Sequence, residues 1–173
     1  MRMRIFGIAV LIFALAYFVY QDRVASFYKK ALPTVLEVTS NVSWGSDVSW
    51  SDIISPIRTE ACGAVVFQLR SDAIEKIQDQ GVAFFRNARE GRGNARDNGF
   101  FYSYDAWQPT PAPSKWFGDG VVTGSMSCAG FGARRMQAVK DGASRAGGFF
   151  TTRSNAQLIM LPSEQIAVLT YFD

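Results

Sequence analysis

The chain has 173 residues with 18 Lys or Arg, 15 Asp or Glu and no histidine, for a formal net charge of +3. Without histidine, Ser-His-Asp and Cys-His nucleophilic mechanisms, the usual zinc-catalytic sites and axial-histidine haem ligation are excluded within this chain. Arg2 and Arg4 supply two of the basic residues, so the remainder is close to neutral and lacks the basic excess that nucleic-acid binding needs.

The first predicted element is an apolar run from Ile5 to Tyr20, opened by Arg2 and Arg4 and closed by Gln21, Asp22 and Arg23. As a helix its sixteen residues span about 24 Å, slightly less than the ~30 Å hydrocarbon core. Snorkelling by Arg4 and Arg23, with Tyr17 and Tyr20 at one interface, covers the shortfall. Ala14-Leu15-Ala16 has the look of a signal-peptide cleavage site, but the apolar run continues past it, so the expectation is an uncleaved single-pass anchor in a lipid bilayer. Gly7, Ala9, Ala14 and Ala16 offer small residues for close packing against other membrane helices.

Basic residues on either side of the anchor do not choose its orientation: Arg2 and Arg4 precede it, and Arg23, Lys29 and Lys30 follow. The two cysteines, Cys62 and Cys128, have neither a CxxC spacing nor a histidine to share a metal. They read as a disulfide formed in an oxidising compartment. The expected placement is therefore an N-terminus in the cytoplasm and a C-terminal domain in the periplasm or outside the cell.

Val24, Phe27, Tyr28 and Ala31 continue the helical period, which predicts an amphipathic stalk that Pro33 ends. Residues 1–32 are thus read as anchor and stalk. Residues 33–55, rich in Ser and Asp around Trp44 and Trp50, are read as a linker, and 56–173 as one mostly antiparallel α+β domain. Within it, 61–69 predicts a buried strand, Asp72 with Glu75 a capping box opening a short helix that Gly81 ends, and 82–85 another strand. Residues 86–99 predict an exposed loop. Strands are then expected over 100–107 and 120–128, with a stiff proline connector at 109–113 between them. A helix over 133–146 buries Met136, Val139 and Ala143, and 157–161 with 165–172 form a C-terminal β-hairpin.

Three clusters are candidates for function. Tyr104, Trp107, Trp116 and Phe117 flank the proline connector and have the composition of a partner-binding surface. Arg86, Arg89, Arg92 and Arg96 form a basic loop able to hold an anion. Asp72, Glu75 and Asp79 have the spacing of paired carboxylates, which a solvated helix face explains, and Gly130-Phe131-Gly132 reads as a tight turn rather than a phosphate-binding one. No catalytic residue, metal site or cofactor is expected. The sequence reads as a non-catalytic single-pass accessory subunit, with other integral membrane subunits and the lipid bilayer as partners. The host would be an energy-transducing or secretion-type assembly. The alternative is a membrane-tethered domain that binds a small ligand or anion.

Overall fold

The computed structural model describes residues 11–19, 26, 28–46, 62–93 and 102–172. Among them lies a six-stranded, wholly antiparallel sheet with β1 (Val38–Ser46), β2 (Cys62–Leu69), β3 (Gln108–Pro109), β4 (Phe149–Arg153), β5 (Ala156–Leu161) and β6 (Ile166–Phe172). The strand order is β1-β2-β6-β5-β4-β3. Three helices accompany it: α1 (Ser71–Gln80), α2 (Val121–Cys128) and α3 (Ala133–Ala143). The domain is α+β.

Antiparallel sheets commonly leave one face to water, but this one is covered on both, and its central strands are correspondingly apolar throughout. All six residues of β5 are buried. On one face Val65, Phe67 and Leu69 of β2 join Leu158 and Met160 of β5 and Leu169 and Tyr171 of β6. That layer is closed by Ile77 of α1, by Phe85, by Tyr102, Tyr104 and Trp107, and by Tyr28, Ala31, Leu32 and Leu36. On the other face Ala64, Val66, Phe150, Ile159, Leu161 and Val168 meet Val122 and Met126 of α2 and Val139 and Ala143 of α3. Period-two alternation along each strand sends successive apolar residues to opposite layers.

The predicted C-terminal hairpin is present: β5 pairs with β6 from Ala156↔Tyr171 to Leu161↔Ile166, across a short 3-10 turn at Pro162–Glu164. Helix α1 ends at Gly81, whose φ of 57° lies in the left-handed region. Its start differs from expectation, because Arg70 is the N-cap and no side-chain cap bond forms. Asp72 is bound to the Arg70 guanidinium instead, at 3.0 Å. Helix α3 buries Val139 and Ala143 as its periodicity requires, and Met136 packs partly against the same layer. Gly142 fits rather than weakens it: a Cβ there would lie 2.9 Å from Leu161 Cδ1.

Several elements differ from the sequence reading. Gly81–Phe85 is a 3-10 helix rather than a strand, and Val121–Cys128 is an α-helix. Two adjacent valines and a threonine favour a strand locally, but Val122, Ser125 and Met126 lie at i, i+3 and i+4 and are buried together. Packing on the sheet overrides propensity, and the buried serine had masked the helical period. Residues 102–107 form no strand. Asp105 is tied to β4 instead, its N–H donating to the Thr152 carbonyl at 2.8 Å and its own carbonyl accepting from Thr151 Oγ1 at 2.7 Å.

The largest difference is at the N-terminal boundary of the domain. Tyr28, Ala31, Leu32 and Leu36 are core residues, not an exposed stalk, and the Tyr28 hydroxyl meets that of Tyr171 at 2.9 Å. Within the expected linker, Val38–Ser46 is β1, paired with β2. Its polar composition suits an edge strand, where apolar residues invite unwanted pairing. The domain core therefore begins by residue 28, and the N-terminal part of the chain is a fixed element of the fold.

Cys62 and Cys128 are bonded, joining the start of β2 to the end of α2 with a Cα–Cα distance of 6.0 Å. Closing a loop of sequence separation 66 stabilises by about 4 kcal/mol in the chain-entropy picture. The link also clamps α2 onto the sheet, where Ser125 Oγ donates to the Tyr171 carbonyl at 3.0 Å.

Candidate functional site

The four aromatic residues expected at a partner surface are in the core. Trp107 stacks on Phe85 with centroids 4.2 Å apart, and its Nε1–H donates to the Ala88 carbonyl at 2.7 Å. Trp116 packs edge-on against Phe150 in the opposite layer, and Phe117 is buried in that same layer. Tyr104 is almost wholly enclosed. The correction has a plain cause: both faces of the sheet require covering, and the aromatic segments on either side of the prolines cover one face each.

Tyr104 is a hinge pin between the N-terminal segment and the arginine-bearing loop. Its hydroxyl donates to the Ala31 carbonyl at 2.9 Å, and its backbone N–H donates to the Arg89 carbonyl at 2.7 Å. Burial raises its pKa well above the usual tyrosine value, with Tyr102 adding to the rise and Arg153 opposing it. A raised folded-state pKa means that the unfolded chain loses this proton first, so stability is intact below about pH 10 and falls as pH rises beyond it. The melting temperature should drop above about pH 10. Tyr104→Phe should flatten that drop while costing on the order of 1 kcal/mol at neutral pH for the lost hydrogen bond. Parallel melting curves for the two proteins across the alkaline range would exclude Tyr104 as the titrating group.

The arginines do not converge on a common point. Arg89 Nε donates to the Tyr104 carbonyl at 3.1 Å, and an Arg92 terminal nitrogen donates to the Leu36 carbonyl. Partial burial lowers the Arg92 pKa while nearby Glu37 opposes the shift. Glu37 is itself paired with Arg70 at 2.7 Å. Arg86 is exposed just beyond the 3-10 helix, and Arg96 lies outside the described residues. The loop is nevertheless firmly placed. Gly93 N–H donates to the Lys30 carbonyl at 2.9 Å, Arg92 N–H to the Leu32 carbonyl at 3.0 Å, and Gly91 N–H to the Tyr102 carbonyl at 2.7 Å. Gly91 makes this approach sterically feasible, since a Cβ there would be 2.7 Å from the Lys30 carbonyl oxygen. Sequence periodicity carried no signal for this docking, because it is made by backbone groups.

The remaining carboxylate and glycine candidates are explained by the fold. Glu75 and Asp79 are exposed on α1, and Asp72 is held by Arg70. Gly130, at φ 71°, turns the chain out of α2 with its N–H on the Ser127 carbonyl. Buried polar side chains are satisfied internally, as where Thr170 Oγ1 donates to Gln157 Oε1 at 2.8 Å. Among the described residues no group of three or more His, Cys, Asp or Glu is placed to hold a metal ion.

The N-terminal candidates divide. Residues 11–19 are helical and exposed throughout, including Leu11, Ile12, Phe13, Leu15, Phe18 and Val19. Ala14 and Ala16 lie in this helix, whereas Gly7 and Ala9 lie outside the described residues. Among the described residues no helix is long and apolar enough to cross a membrane. Comparison with protein families, with curated proteins and with solved structures finds no match for the chain.

Proposed function

We propose that this chain is a single-pass membrane protein in which residues 5–20 form the anchor and the disulfide-bonded α+β domain occupies the extracytoplasmic side. Its role is that of a non-catalytic accessory subunit, held to other integral membrane subunits through the anchor. The observation that carries this reading is the uncovered helix: nine consecutive apolar residues, 11–19, bury none of their surface against the domain. Exposed apolar area on that scale is costly in water and is a mark of a membrane or protein interface. The Cys62–Cys128 bond supports an oxidising compartment for the domain.

The internal placement of Trp107 and Trp116 shifts the partner contact toward the anchor, where Ala14 and Ala16 favour close helix packing. The ligand-binding alternative has less support, because Arg89 and Arg92 are engaged with backbone carbonyls of the domain itself. Purification of the native protein in mild detergent, with identification of co-purifying chains, tests the reading. Stable association with other integral membrane proteins is the expected result. A monodisperse monomer would sink the subunit role.

A further inference from the structure

The loop and the N-terminal segment together place basic residues where the chain emerges from its apolar helix. Residue 19 is the last described residue of that helix, and the core begins nine residues later at Tyr28. Residues 26, 28 and 29 are helical. At 1.5 Å per helical residue, Lys29 and Lys30 then follow the apolar helix by roughly 15 Å along the chain. The backbone bonds of Arg92 and Gly93 to Leu32 and Lys30 bring the arginine-bearing loop to the same level. Five basic residues, Lys29, Lys30, Arg86, Arg89 and Arg92, are thereby grouped against two acidic ones, Glu37 and Glu90, and Glu37 is already paired with Arg70.

We infer that these residues form a juxtamembrane basic collar that binds the phosphate of anionic phospholipid headgroups. The inference rests on the membrane anchoring proposed above. A cluster of Lys and Arg next to an inserted helix is attracted to an anionic surface by about 1 kcal/mol per residue, within a Debye length. The loop is an integral part of the fold rather than a free arm: Gly91 admits the close approach, and Tyr104 ties Ala31 and Arg89 into one unit. The collar is thus presented as a fixed surface, and no partner is needed to order it. Arg89 and Arg92 contribute charge while their guanidinium groups brace the loop, whereas Arg86, Lys29 and Lys30 are the residues available for headgroup contact.

The test reconstitutes the full chain into vesicles of phosphatidylcholine alone or with added phosphatidylglycerol, and maps lysine acetylation by a water-soluble reagent. Exposed Lys76, Lys115 and Lys140 serve as internal references. Labelling of Lys29 and Lys30 should fall about fivefold on the anionic vesicles, as ~1 kcal/mol per basic residue implies, and recover at high salt. The Arg86→Gln chain should recover at lower salt. Equal labelling on both vesicle types, with the chain floating with both, would overturn the collar while leaving the anchor intact. Failure to float with neutral vesicles would overturn the anchor itself. Protection on neutral vesicles by added inorganic phosphate would mark a free-anion site and would equally overturn the lipid assignment.

Discussion

Deletion of residues 1–23 is expected to move the protein from the membrane fraction to the soluble fraction while leaving the domain folded and disulfide-bonded. Of that segment, residues 11–19 are described, and they contribute nothing to either core layer. The core begins at Tyr28, on the far side of the cut. The ten Leu, Ile, Phe and Val residues between positions 5 and 20 contribute roughly 0.3–0.6 kcal/mol each to insertion, about 3–6 kcal/mol in sum. Co-purification with membrane subunits should be lost along with it, because packing of small residues inside the bilayer is the proposed contact. Fractionation, followed by a thermal melt of the released domain, checks both halves of the expectation. A truncated chain that still bound its partners at full strength would reduce the anchor to a tether. One that failed to fold would show that the apolar helix belongs to the domain.

The second large effect is on stability. Trp107→Ala should destabilise the domain by about 3–5 kcal/mol, the range for truncating a buried large aromatic residue. It removes the stack on Phe85 and leaves the Ala88 carbonyl without its indole donor. At roughly 2–4 °C per kcal/mol for a protein of this size, the melting temperature should fall on the order of 10 °C. Trp116→Ala should act in the same direction through the opposite layer, by loss of its contact with Phe150. Thermal or urea melts of the full chain read the effect directly. Wild-type melting combined with loss of co-purification would restore the tryptophans as partner contacts.

The two tryptophans also show where reading the sequence runs out. Enrichment in Trp and Tyr identifies material for interfaces and for cores alike, since both bury large amphipathic rings. Only the presence of a two-sided sheet with a face on each side of the proline segment decides between the two. The polar stretch at 38–46 is a similar case: its composition resembles a linker, and pairing with β2 makes it an edge strand. Helix α2 was hidden by two valines and a buried serine whose hydroxyl finds the Tyr171 carbonyl. In each instance a long-range contact outweighs a local preference of a few tenths of a kcal/mol.

By itself the sequence determined the features that are local in the chain or fixed by composition. These are the apolar N-terminal run, the cysteine pair, the absence of histidine chemistry, the α+β class, helices α1 and α3 from their apolar period, and the C-terminal hairpin from two apolar runs around Pro162. Tertiary structure alone decided that Tyr28 to Leu36 belong to the core, that the aromatic residues face inward, and that the arginine loop docks beside Lys30. The physical reason is the kind of group involved. Side-chain periodicity is written in the sequence, whereas docking through backbone N–H and C=O groups, which every non-proline residue carries, leaves no residue-specific trace there.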